Sequence, residues 1–345
     1  MSADRPTPDS LISVWARRAI SVPLYGGLAA LCVLGAPVWL LAALGVDAGR
    51  GQLARRPHTR ALTFFALYLV CEVVGLLMAA LLWGITLGGG TGGPGRYRDA
   101  NAALQRGWSS ALFHGARVIF GWTVQVEGLE LVDGGPLVLL VRHSSVADTV
   151  LTAALVGNPN RLQLRYVLKR ELLWDPCIDV VGSRLPNAFI DRAAPRKEAE
   201  LEAIAQLAQG LDEGSAVLIY PEGTRFSEGK LAQRLAALRE RGSEELLAIA
   251  KGFGAVLPPR PGGALALLAA AEGADVVLVE HSGFEGAATF ADFWAGALVG
   301  RTIRVRLRRF RAGTIPLDGR ERWLYERWGE MDRWVRGATD RGANR

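Results

Sequence analysis

The chain has 345 residues, 50% of them hydrophobic, and 40 Lys and Arg against 34 Asp and Glu give a net charge of +6. Its three cysteines, Cys32, Cys71 and Cys177, form neither a Cys-x-x-Cys pair nor a cluster with histidine, which excludes a disulfide framework or a zinc site as the organising feature. Mean hydropathy is +0.18, high for a soluble chain, so apolar segments come first.

No charged residue occurs from Ala19 to Val46. As a helix this run reaches about 42 Å, more than the roughly 30 Å hydrocarbon core of a bilayer, although Pro23, Pro37 and several glycines interrupt it. A second apolar run, Ala61 to Leu87, carries Glu72 as its only charge, and the basic linker DAGRGQLARRPHTR joins the two. The pattern predicts a helical hairpin in a membrane. It argues against a secretory signal peptide, because the first run is too long and a second follows. Arginines lie before, between and after the runs, so the positive-inside rule gives no orientation. Glu72 is costly in lipid and is expected to face a partner helix or to snorkel.

The stretch GGGTGGPGRYRD (88–99) reads as a flexible joint and domain boundary. It lacks the Lys-Ser/Thr of a phosphate-binding P-loop. Residues 101–122 have helical periodicity with aromatics and arginines interleaved, as an interfacial or a core helix would. Strand and helix signals then alternate. PLVLLVRH, LQLRYVLK, SAVLIYPEGTR, DVVLVEH and TIRVRLRRF read as strands, and KEAELEAIAQLAQGL and ALALLAAAEG as helices. This order predicts an α/β domain with a largely buried sheet. Arg304, Arg306 and Arg308 share one face of the last strand, suited either to anionic phosphates or to plain solvation. The tryptophan-rich segment 320–335 is an amphipathic helix that either packs on the domain or lies at a membrane.

His143 and Asp148 mark the end of the first long strand. In a continuous helix they would lie about 140° apart and could not touch. If the strand ends at His143 and a helix starts after it, the turn can return the carboxylate to the imidazole, at the strand end where ligands of α/β sheets bind. The same residues also fit an N-capping pattern, Ser145-x-x-Asp148, with His143 as a packed core residue. Three further blocks follow: FIDR (189–192), YPEGTR (220–225) and VLPPRPGG (256–263).

In this order and spacing, over about residues 105–285, the four blocks resemble those of the glycerolipid acyltransferase family, which acylates lysophosphatidic acid and related lysophospholipids. The resemblance implies an α/β fold of the glycerol-3-phosphate-acyltransferase type, a sheet flanked by helices, with residues 1–95 as the hairpin and joint and 96–345 as the acyltransferase domain. It makes His143 the general base and Asp148 its orienting partner. It places Arg192, Glu222, Gly223, Thr224 and Arg225 at the acceptor, with Arg192 and Arg225 on the phosphate and Glu222 orienting Arg225 or meeting an acceptor hydroxyl. Pro258 and Pro259 shape the site. Ser144 and Ser145 are better explained as N-caps than as nucleophiles. Acyl-CoA or acyl carrier protein is implied as co-substrate, with no metal, no bound cofactor and no nucleic acid. Membrane lipid is the implied partner, and the implied location is a bacterial inner membrane with the domain on the cytoplasmic side. Many relatives have Asn before the histidine, whereas this chain has Arg142. The pair stays intact, and other lysophospholipids, a glycolipid or an aminolipid remain open as acceptors. A non-catalytic membrane scaffold is opposed by the intact His143, Asp148, Glu222 and Arg225.

Overall fold

The computed structural model describes residues 10–145, 147–191, 197–287 and 289–343. The first apolar run forms α1 (Leu11–Leu34) and α2 (Ala36–Gly49), separated at Gly35 with Pro37 in the first turn of α2. The second forms α3 (Pro57–Thr86). By length and composition α1 and α3 could each cross a bilayer. Along α3, Ala61, Leu69, Glu72, Gly75 and Ala79 are buried at helical spacing, while Val70, Val74, Leu77, Leu81 and Ile85 are exposed. Exposed apolar faces of this kind mark interaction sites with membranes or with other proteins.

The glycine run is not a long flexible linker. Gly88, Gly89, Gly92 and Gly93 adopt positive φ and reverse the chain within a few residues. Pro94 then opens α4 (Gly93–Phe120), which packs back along α3. Glycine tolerates that backbone without the Cβ penalty, and proline is preorganised for a first helical turn, so the same residues that suggest a joint build a reversal.

The hairpin is tied to the rest of the chain by polar groups turned inward. Glu72 is buried and faces α4 and the segment after the third strand. Its Oε1 accepts from Trp108 Nε1 at 2.9 Å and its Oε2 from the Cys177 N–H at 3.0 Å. Tyr68 donates to Asp175 at 2.6 Å, and Arg17 and Arg18 both donate to Asp179.

The α/β part runs β1 (Thr123–Glu127), β2 (Leu137–Val141), α5 (Asp148–Thr152), β3 (Gln163–Lys169), α6 (Pro176–Val180), β4 (Ala188–Ile190), α7 (Lys197–Ala208), β5 (Ser215–Ile219), α8 (Glu228–Glu240), α9 (Glu244–Ala250), α10 (Pro261–Ala270), β6 (Asp275–Ser282), α11 (Phe290–Trp294), β7 (Thr302–Phe310) and α12 (Arg320–Ala343). Among the described residues these strands form one sheet in the order β1-β7-β6-β2-β5-β3-β4. All neighbours are parallel except β6 and β7. The central strands β2 and β5 are buried at every position, which explains their unbroken aliphatic runs. Successive residues serve opposite faces. Leu137, Leu139 and Val141 pack with Phe113, Phe120 and Leu151 under α4 and α5. Val138 and Leu140 pack with Ile204, Leu267 and Trp328 under α7, α10 and α12.

The C-terminal helix packs on the domain, with Leu324, Trp328, Met331 and Val335 in the core. It also covers the arginine face of β7. Arg306 and Arg308 pair with the buried Glu280, Arg308 also pairs with Glu330, and Arg304 donates to the Ala338 carbonyl. That face is therefore only partly open to solvent, and its charges join the sheet to α12.

Candidate active site

The ends of β2, β5 and β6 lie level, with Leu140 opposite Ile219 and Val141 opposite Val279. His143, the loop 220–227 and His281 therefore meet at one edge of the sheet. Helix α5 begins at Asp148, and the chain before it turns sharply. Asp148 Oδ2 accepts from the N–H groups of Ser144 and Ser145, at 2.5 and 2.9 Å, and lies 3.2 Å from His143 Nδ1. The carboxylate thus folds back onto the turn and the imidazole, and the helix N-cap, Ala147, receives no side-chain cap. A carboxylate can only accept here, so Nδ1 carries the proton and Nε2 keeps its lone pair. The His143 side chain is 19% exposed, enough for an incoming group to reach it, while Asp148 is fully buried. Burial works against charge on Asp148, but the His281 and His143 rings and the Ser145 N–H outweigh it and hold the carboxyl below the usual carboxylate range.

The backbone of His143 is fixed from both sides by the loop after β5. Its N–H donates to Glu222 Oε1 at 2.9 Å, and its carbonyl accepts from the Phe226 N–H. Glu222 Oε2 accepts from the Leu257 N–H at 2.9 Å. One buried carboxylate therefore joins the first, third and fourth blocks. Glu222 is fully buried, so in this structure it positions His143 rather than meeting an acceptor or orienting Arg225. Burial pushes its carboxyl up to about 7, against the pull of Arg142 and the two N–H donors. The fourth block is strapped to the third again where the Arg260 N–H donates to the Pro221 carbonyl, and Tyr325 holds the Pro259 carbonyl.

Gly223 has φ +68°, which a side-chain-bearing residue adopts only with strain, and it closes a turn by donating to the Tyr220 carbonyl. Thr224 and Arg225 follow, half-buried. Lys230, in the first turn of α8, donates to Thr224 Oγ1 and to the Arg225 carbonyl, both at 3.0 Å. Thr224, Arg225 and Lys230 thus form a cationic corner beside the loop. Arg192 lies outside the described residues.

Three participants escape block-by-block reading. The Tyr220 ring packs on His143 at 4.7 Å between centroids; it opens the YPEGTR stretch, but the resemblance gives it no role. Lys230 has no motif. His281 Nε2 donates to the Arg142 carbonyl at 3.0 Å and stands 3.7 Å from Asp148 Oδ1. Arg142 is buried and binds the carbonyls of His281 and Ala255 together with Glu285. The residue that replaces Asn before the histidine thus clasps three loops under the site.

An apolar cavity of about 140 Å³ opens beside this edge. Tyr220 and Thr149 line its near end, and Gly75, Trp108 and Cys177 its far end against the hairpin.

Residues 123–261 match the family model described as Acyltransferase. The chain is 36% identical over 121 residues to a 1-acyl-sn-glycerol-3-phosphate acyltransferase of Pseudomonas aeruginosa, covering 34% of this chain and 43% of that one. It is 26% identical over 125 residues to 1-acyl-sn-glycerol-3-phosphate acyltransferase epsilon of Mus musculus, covering 36% and 33%. The chain thus spans less than half the length of these two curated relatives. The crystal structure of the 1-acyl-sn-glycerophosphate acyltransferase PlsC from Thermotoga maritima aligns over 78% of this chain and 98% of that one, with 17% identity and a TM-score of 0.47. The matched segment starts with β1 and ends inside the fourth block, so it contains His143, Asp148, Glu222 and Leu257. Over residues 123–261 this chain therefore matches an acyltransferase domain, and over that stretch it is similar to the glycerolipid acyltransferases.

Proposed function

We propose that the chain transfers a fatty acyl group from acyl-CoA or acyl carrier protein to the free hydroxyl of lysophosphatidic acid, forming phosphatidic acid. The observation that carries this reading is the His143–Asp148 pair, whose geometry leaves His143 Nε2 as a base facing an accessible edge of the sheet. Nε2 takes the proton of the acceptor hydroxyl as its oxygen attacks the thioester carbon. Asp148 holds the tautomer and stabilises the imidazolium. The C–S bond then breaks, and the proton passes from Nε2 to the leaving sulfur. No covalent acyl-enzyme and no bound cofactor is needed.

The apolar cavity beside Tyr220 suits the part of the acyl chain nearest the thioester. The cationic corner of Thr224, Arg225 and Lys230 suits the acceptor phosphate, since guanidinium and ammonium groups bind phosphate oxygens well. Arg192 is assigned to the same phosphate on the block resemblance. The exposed apolar faces of α1 and α3 support membrane association, where a lysolipid acceptor resides.

The test is transfer from labelled acyl-CoA and acyl carrier protein to a panel of lysolipids by the full chain in detergent, beside His143→Ala. Transfer to lysophosphatidic acid that falls by about 10²-fold or more in the variant is expected. Transfer only to a different acceptor overturns the substrate, and undiminished transfer by the variant overturns the base.

A further inference from the structure

A second and larger cleft opens on the other side of the loop after β5. Its volume is about 720 Å³. Its inner end is formed by Tyr220, Pro221 and Gly223, so it reaches the ring that packs on His143. Its outer wall carries Arg234 and Arg241 from α8 and its end, and Arg260 from the fourth block. Arg234 and Arg241 are seven residues apart, two turns of helix, and so project to one side of α8. Arg234 is half-buried and donates to the Glu222 carbonyl at 3.1 Å. The aliphatic part of Arg260 passes over Gly223, where an added Cβ would meet Arg260 Cδ at 3.4 Å.

Among the described residues none of these three guanidinium groups makes an ion pair, and Glu200 is the one carboxylate lining the cleft. Arg234 is half-buried and feels Glu222 as a weak counter-charge, while Arg260 and Arg241 disfavour its charge, an effect that an anion between the three would relieve. Burial first and then the neighbouring Arg260 push the Arg234 guanidinium down to about 10. Arginine is the side chain best matched to phosphate, through its planar bidentate fork. A cleft of this volume is in the range of small-molecule sites and is too small for a folded carrier protein.

We propose that Arg234, Arg241 and Arg260 form a phosphoryl-binding subsite, separate from the Thr224, Arg225 and Lys230 corner. This rests on the acyltransferase reading for its two candidate sources. One is the nucleotide phosphates of a CoA thioester; the other is the phosphate headgroup of the lysolipid.

The experiment uses the full chain in detergent, with Arg234→Gln and, separately, the double variant Arg241→Gln/Arg260→Gln, whose residues are exposed and safe for folding. Binding of CoA and of glycerol 3-phosphate is measured by calorimetry, independently of turnover. KM is measured for acyl-CoA against acyl-pantetheine, and for lysophosphatidic acid against monoacylglycerol. A loss of about tenfold or more in affinity for CoA, with KM raised for acyl-CoA and not for acyl-pantetheine, assigns the cleft to the donor. The same loss for glycerol 3-phosphate, with KM raised for lysophosphatidic acid and not for monoacylglycerol, assigns it to the acceptor. Unchanged binding of both probes by the double variant overturns the subsite. Equal losses for phosphate-bearing and phosphate-free substrates overturn it as well. If the wild-type chain transfers no acyl group, the function falls, and the two binding measurements still decide the cleft.

Discussion

Two places in this molecule bury carboxylates, and they use them differently. At the junction between the hairpin and α6, the donors to Glu72 and Asp179 come from other segments: Trp108 and Cys177 for the first, Arg17 and Arg18 for the second. These contacts fasten one part of the chain to another. At the sheet edge, Asp148 gathers the N–H groups of its own turn and Glu222 gathers those of His143 and Leu257. Here the carboxylates shape backbone around one imidazole and leave its far nitrogen open. A buried acid therefore signals function by what it leaves accessible rather than by its burial.

The contrast is sharpest for Asp148→Asn. The amide keeps the volume but cannot accept from two N–H groups and the imidazole at once, and it can impose the wrong tautomer on His143. The expected result is a fall in turnover of about 10²- to 10⁴-fold with substrate KM little changed, read from steady-state kinetics. A variant that keeps more than a tenth of its turnover would place Asp148 with the fastening carboxylates.

Glu222→Gln tests the second acid at the same edge. Its carboxyl is raised from the ordinary 4.5 to about 7, chiefly by burial. A raised pKa favours the protonated form in the folded state, so this stability is full below pH about 4.5 and is lost as pH rises through about 7. The size is up to about 3 kcal/mol. The wild type should therefore lose stability across that window, and the variant should show a flatter profile in denaturant titrations at several pH values. An unchanged slope would assign the pH dependence to other groups.

Much of the sheet was legible in the residues. Long aliphatic or alternating runs announce β2, β3, β5, β6 and β7. Strand β1 is five residues of mixed polarity behind a long helix, and β4 is three residues, so neither carries a period of its own. The glycine run misleads because flexible joints and tight reversals use the same residue, and the choice depends on α4 packing along α3. The β7 arginines mislead because a polar strand face looks solvated until α12 lies over it. In the site, His143 and Asp148 are readable because they are local. The bond from Glu222 to the His143 N–H spans 79 positions, and no local pattern announces it. Tyr220 reaches His143, and His281 reaches Asp148, for the same non-local reason.

On the fastening side, Asp179→Asn leaves Arg17 and Arg18 facing a neutral amide in a largely buried place. A cost of about 1–3 kcal/mol is expected. Thermal melting in detergent should drop, and hydrogen exchange in α1 should rise, while turnover per folded molecule holds. A loss of turnover without loss of stability would show that the junction shapes the site and is not only an attachment.

The smallest effect is expected where charges pair in the open. Arg322 lies 2.6 Å from Glu245 and 2.8 Å from Glu326, distances as short as those at Asp179. The three side chains are 59%, 61% and 37% exposed, so water screens the attraction and ordering long side chains cancels what remains. Arg322→Ala should therefore melt with the wild type within measurement error, in low salt as in high. If it instead falls as far as Asp179→Asn, distance rather than burial governs these pairs. The difference between the junction and the surface would then rest on how many donors each carboxylate holds.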